Sequence, residues 1–571
     1  MTVSCKTAAL SLAGLRAVLL AGACLTLVGP ALHAEPYADP PAAPPAAPPT
    51  EGSVDITKVT VPKGSPDYLL STYRSHLTAP LPAKVWKQGG IPRVIAKDEQ
   101  FNNPHGKLGN RNAAGQTITA NNAFFQSLGT NGRSCVTCHN PPSGMGLALK
   151  NIKQRFRANL DDPLFAPVDG ANCPDAVPPQ YTSGSLSGRH KGKGKKALKE
   201  AYSLLLTKGL IRVAIKVPAD AQYTVEVLQD RPGCNNSAQF NQDPVTHEKI
   251  LSMYRRPIFS AGLRFKAPAG TDRDTERTAP TNVMWDGREP SLRTQATSAT
   301  LGHAQALKAP TPQQLDQIVD FETRFFSAQL VDKVAGRLDV NAGGGPAQLS
   351  LQPTTPPTAF PPPLPFDEYD GWAGLSGSAK ADRQASIARG QALFNTKQLT
   401  VANVGGFNDT IGLNPVPPAV FPVTCATCHG FPHAGSELVL PPQRDIGTGG
   451  QAAPGSFKGP QANTAAGLGV GTAPAGDLPI FKFTCTGDAV HPFYGKVIVT
   501  NDPGTGLITG QCADLGKKTV PGLRGLASRA PYFSDGSAAD IGGIVDFYNQ
   551  RFNIGLTVQE RTDLVNFLAA L

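Results

Sequence analysis

Two copies of one five-residue pattern constrain this chain more than any other feature. Cys135-Val-Thr-Cys138-His139 recurs as Cys425-Ala-Thr-Cys428-His429. CxxCH is the attachment motif of c-type haem. Its two thiols form thioethers with the haem vinyl groups, and the adjacent His becomes the proximal iron ligand. The competing reading is a CxxC redox or zinc site beside an unrelated His. It would have to arise twice in one chain. The sequence therefore predicts two covalent haems, held by Cys135, Cys138 and His139 and by Cys425, Cys428 and His429.

Covalent c-type haem goes with export, and the N-terminus agrees. Lys6 and Arg16 precede an uncharged apolar run over 17–28, followed by Pro30 and small residues up to Ala34. This reads as a signal peptide over 1–34. The run falls short of the ~20 apolar residues that a membrane span needs. Residues 35–54 are a Pro/Ala-rich linker of polyproline character. The expected location is the periplasm, with no membrane span.

An oxidising compartment gives the other cysteines a role. Cys5 and Cys24 lie in the leader. Cys173, Cys234, Cys485 and Cys512 remain outside the haem motifs. Pairing is the default for exported thiols. Cys173 with Cys234 and Cys485 with Cys512 each enclose a local loop, while crossed pairs and free thiols stay open.

The chain has 571 residues, enough for about two to four domains. Gly 59 and Pro 53 make it loop-rich, yet 40% hydrophobic residues can build cores. A net charge of +10 suits nucleic acid, a membrane surface or an acidic redox protein, and composition does not choose among them. Residues 189–199 (RHKGKGKKALK) are either a solvated loop or a dock for an acidic electron donor. Strand-like alternation over 209–229, with a turn at Pro218, predicts a small β-hairpin insertion. Near the C-terminus, Thr557 and Glu560 form a capping box, and Leu564, Val565, Leu568 and Leu571 share one helix face. A helix before CxxCH and a closing helix follow the order of a cytochrome c domain. The expected fold is mainly α: two cytochrome c-type haem domains with long loops, an N-terminal one over 55–370 and a C-terminal one over 371–571.

Several further motifs carry a family resemblance. Trp285-Asp286-Gly287-Arg288, then Ser291-Leu292 and Gln295-Ala296, resemble the WDGR…SL..QA signature of the bacterial dihaem cytochrome c peroxidases. Ala279-Pro280-Thr281, Val520-Pro521-Gly522-Leu523-Arg524 and 530–536 (APYFSDG) resemble further segments of that superfamily. Its other members are a quinone-maturing dihaem oxidase and the dihaem rubber oxygenases. The resemblance implies a reactive N-terminal haem and a C-terminal haem that relays electrons. It makes Trp285 the aromatic bridge between the haems, and Gln295 a pocket amide for bound peroxide or water.

The departures from the family bear on chemistry. Gln305 stands where the peroxidases have a pocket Glu, and Gln cannot shuttle protons at neutral pH. His303 lies nearby and either replaces that base, ligates the iron, or is an ordinary surface or satisfied His. Tyr548 falls where the sixth ligand of the second haem is a Met in peroxidases and a Tyr in the quinone-maturing oxidase. It is either that ligand or a buried helix Tyr, with His433 and His491 as alternatives. The family's inter-haem calcium is a further implied cofactor, although Thr278 and Arg529 replace its Asn and Thr while Pro531 is kept. The functional expectation is an oxidoreductase that activates hydrogen peroxide or O2, supplied by a redox protein. The alternative is a pure electron-transfer cytochrome.

Overall fold

The computed structural model describes residues 87–88, 91–92, 94–178, 193–266, 281–354, 365–409, 421–435, 442–449 and 477–571. The leader, the linker and residues 278–280 lie outside these. So do 189–192 of the basic run; 193–199 fall in a helix.

The mainly-α expectation does not hold. Helix accounts for 35% and strand for 20% of the described residues, and the strands form seven sheets. In chain order the longer elements are β1 (Asp98–Asn103), β2 (Gly106–Asn112), α1 (Leu149–Ala158), β3 (Ile211–Lys216), β4 (Tyr223–Gln229), β5 (Ile250–Arg255), α2 (Leu292–Gly302), α3 (Pro312–Arg324), β6 (Phe325–Asp332), α4 (Ala379–Thr396), β7 (Ile480–Cys485), β8 (Val497–Thr500), α5 (Ile541–Arg551) and α6 (Val558–Ala570). Among the described residues, no helix is long and apolar enough to cross a membrane.

The expected hairpin over 209–229 is also corrected. Its two segments are strands, but they do not pair with each other. β3 runs antiparallel to β5, from Ile211 opposite Arg255 to Lys216 opposite Ile250. β4 instead joins β7, far along the chain, with Tyr223 opposite Cys485. The reason is that alternation marks a half-buried strand without naming its partner. β4 does alternate, burying Tyr223 and exposing Thr224. β5 is buried along its whole length, so β3 gains more from β5 than a local turn would offer.

The helices near the two motifs are built differently. Ahead of the first motif stand 3-10 turns at Thr119–Asn121 and Ala123–Phe125. Phe124 and Phe125 pack on Phe321 of α3, with centroids 4.8 and 4.9 Å apart. The second motif has α4 and α6 instead. Gly390 lets them cross closely, since any Cβ there would run into the Asp563 carbonyl. The capping box of α6 is present, with Glu560 N–H donating to Thr557 Oγ1 at 3.2 Å. The two halves of the chain are stitched together. The Leu571 carbonyl accepts from Gln329 N–H of β6 at 3.1 Å and from Gly525 N–H at 2.9 Å.

Candidate functional site

The two CxxCH segments fold alike. In each, a Ser or Thr precedes the first Cys and opens a single helical turn. Ser134 N–H donates to Thr137 Oγ1 at 3.1 Å, and Thr424 N–H donates to Thr427 Oγ1 at 3.1 Å. The turn closes with His139 N–H on Cys135 O (3.0 Å) and His429 N–H on Cys425 O (2.9 Å). Each imidazole then meets one carbonyl through Nδ1: Met145 O at 3.2 Å for His139 and Ala434 O at 2.8 Å for His429. A carbonyl only accepts, so Nδ1 carries the proton and Nε2 keeps its lone pair for a metal. Met145 (φ 58) and Ala434 (φ 62) both adopt the left-handed conformation that L side chains disfavour. Both copies therefore spend backbone strain at the residue whose carbonyl orients the His.

The cysteines speak against a redox or zinc reading. None of the four is in a disulfide. Burial pushes the Cys425 thiol up to about 12 and the Cys135 thiol up as well, whereas redox CxxC motifs depend on a lowered thiol. Among the described residues, no group of three or more His, Cys, Asp and Glu could hold a metal ion. The separate pairs Cys173–Cys234 and Cys485–Cys512 are disulfides.

A cavity opens over each motif. The first encloses about 1390 Å³ of empty space, its open mouth included, over Cys135, Cys138 and His139. The second encloses about 1750 Å³ over Cys425, Cys428 and His429. Arg256, Pro257, Ile258, Phe259 and Trp285 line both, so the cavities share a wall. Trp285 is anchored in it by its indole N–H, which donates to Arg256 O at 2.7 Å.

Gln295 and His303 line the first cavity, at α2 and just beyond its end. His303 Nδ1 lies 2.9 Å from Asp169 Oδ2, and that carboxylate also pairs with Arg133 at 2.8 Å. Asp169 thus fixes the His303 tautomer and leaves Nε2 available. Gln305 is not part of the lining. It is held at φ 54, its carbonyl accepts from Thr130 Oγ1 at 3.0 Å, and its Oε1 accepts from Asn131 at 3.2 Å.

Tyr548 lines the second cavity, its ring 6.4 Å from that of His429. Burial pushes its phenol up, so the hydroxyl stays protonated. His433 and His491 line neither cavity. His433 packs between Phe259 and Phe265, and His491 stacks on Tyr494 at 4.6 Å.

Sequence reasoning missed Glu322. It lines the first cavity from the last turn of α3, is buried, and its Oε2 has no hydrogen-bond partner. Burial pushes its carboxyl up to about 8. Its signal was an acid beside Ile318 and Phe321 on the apolar face of the helix, just ahead of Phe325.

The residues fit a c-type haem at each motif. Two thiols and an oriented His meet an apolar cavity, and the charges suit a group that carries carboxylates. Arg256, Arg444, Lys518 and Arg529 line the second cavity, and among the described residues no Asp or Glu does.

No protein-family model and no curated relative matches the chain. Among solved structures it is similar to a hydrazine synthase of Kuenenia stuttgartiensis pressurised with xenon, at 12% identity over 74% of this chain and 93% of that one, with a TM-score of 0.28. A likeness at that level bears on neither activity nor site.

Proposed function

We propose that this chain is a periplasmic dihaem c-type oxidoreductase that takes hydrogen peroxide or O2 at the first cavity and draws electrons through the second. Its haem-bearing parts are 55–370 and 371–571, behind a signal peptide and linker. The observation that carries this reading is the shared wall: one indole, Trp285, borders both CxxCH cavities. When bound, the haems supply redox-active iron. The chain's own residues do the rest. Gln295 would offer its amide to the oxidant taken into the first cavity, and Asp169 orients His303 as a base. Glu322 holds a proton at neutral pH. Tyr548 lines the second cavity with His429 and would be the second side chain offered to its iron. A redox protein is the expected donor, and since Gln305 lies outside the lining, the proton-holding carboxyl of this cavity is Glu322.

A second reading rests on the same His303. With Nδ1 on Asp169, its Nε2 is free to ligate iron, and an occupied sixth position would make the protein an electron carrier. Stopped-flow spectra of the haem-loaded protein with millimolar peroxide separate the two. The enzyme reading expects the Soret band to shift and an oxidised intermediate to form. An unchanged Soret band, with both haems low-spin and six-coordinate by EPR, would replace it with the carrier.

A further inference from the structure

The wall between the cavities holds positive charge that no carboxylate among the described residues answers. Arg256 is buried, and its guanidinium donates only to carbonyls: Lys208 O at 2.9 Å, Arg529 O at 2.8 Å, and Leu147 O. Arg529 donates to Gly522 O at 3.1 Å and Arg524 O at 3.0 Å, and its Nε has no partner. Its Cζ lies 3.9 Å from the ring centroid of Phe259, itself part of the shared wall. The neighbouring arginines behave otherwise: Arg255 pairs with Asp286 and Asp502, and Arg524 with Glu368.

Two guanidiniums close together, Arg256 buried and Arg529 half-buried, without a counter-charge among the described residues, are costly. Burial lowers Arg256 to about 10, and burial with the neighbouring Arg256 charge lowers Arg529 to about 9. Among the described residues, the Tyr532 phenol is the group acting the other way on each. Carbonyl hydrogen bonds satisfy the N–H groups but leave the charge. Such a pair calls for an anion, and the space it borders is open: Arg529 lines the second cavity and Arg256 lines both.

We propose that Arg256 and Arg529 form a fixed anion site in the shared wall, whose ligands are the carboxylate side chains of the two haems. This rests on the dihaem reading above. Because Arg256 borders both cavities, its charge would act on a haem in either, whereas that of Arg529 would act mainly on one in the second. A positive charge beside a haem favours the reduced, more negative state. Removing it therefore lowers the reduction potential.

The test uses the full-length, haem-loaded protein and begins with haem content by pyridine haemochrome. Two haems per chain in the wild type keep the dihaem reading, and fewer would remove that reading rather than this one. Spectroelectrochemistry is then run on Arg256→Gln, Arg529→Gln and Arg529→Lys. Arg529→Gln should shift the oxidised-to-reduced ratio of the second haem about tenfold towards oxidised at fixed potential, or about 59 mV for one electron. Arg256→Gln should shift both haems the same way, and Arg529→Lys should restore the second. If Arg256→Gln fails to assemble, the Arg529 pair decides alone. Both potentials unchanged in Arg529→Gln would overturn the proposal. A free anion as ligand would overturn it too, seen as wild-type potentials that move with added acetate or phosphate at constant ionic strength.

Discussion

The indole N–H of Trp285 donates to the backbone carbonyl of Arg256 at 2.7 Å, and both residues border both CxxCH cavities. One hydrogen bond thus ties the indole to the backbone of Arg256 in the wall that the two cavities share. The backbone of Trp285 is tied as well, its carbonyl accepting from Thr519 N–H at 2.8 Å.

Trp285→Phe removes that hydrogen bond while keeping a ring. Both haems should stay attached, and electron transfer between them should slow. Stability should fall by about 1–3 kcal/mol, the typical cost of leaving a buried acceptor unpaired. Flash reduction with time-resolved Soret spectra reads the transfer rate. An unchanged rate would take Trp285 off the electron path.

Glu322 makes stability depend on pH in a definite direction. Its carboxyl sits at about 8 in the fold, above its ordinary value of 4.5. The folded state therefore binds this proton more tightly than the unfolded state. The stability linked to it is present below about pH 4.5 and is lost as pH rises to about 8. Glu322→Gln carries no such loss. Denaturant titrations should find variant and wild type alike at pH 5, and the variant more stable by about 2–4 kcal/mol at pH 9. A constant gap across that range would mean that Glu322 does not hold the proton.

The disulfides Cys173–Cys234 and Cys485–Cys512 close separations of 61 and 27 residues. Replacing either pair with Ala should lower stability by about 3–4 kcal/mol. Cys485 sits at the end of β7, opposite Tyr223 of β4. Loss of the second bridge should therefore loosen the joint between the two parts of the chain, read as faster amide exchange in 223–229. Unaltered exchange there would confine the bridge to a local role.

What the sequence disclosed depended on how local the chemistry is. A CxxCH turn is local, so the like fold of Cys135 to His139 and Cys425 to His429 was readable by spacing. The disulfides were readable because each joins its nearest free cysteine along the chain. Strand pairing was not, because it is non-local: Tyr223–Gln229 has the alternation of a hairpin arm, yet its partner lies at Ile480–Cys485. The helical estimate failed for a related reason, since many short strands of two or three residues leave no periodic trace. The first cavity was half legible. Gln295 and His303 line it, while Gln305 is drawn to Asn131 by a turn that no pattern announced. Asp169, Glu322 and Arg256 escaped notice because a lone charged residue acquires meaning only from what the fold sets beside it.

The central claim is that each CxxCH segment carries a covalent haem. Intact mass spectrometry of the exported protein, with a denaturing haem stain, tests it most directly. The account predicts two haem masses on the wild-type chain, and one on a variant with Cys425→Ala and Cys428→Ala. A wild-type chain carrying a single haem, or none, would contradict it.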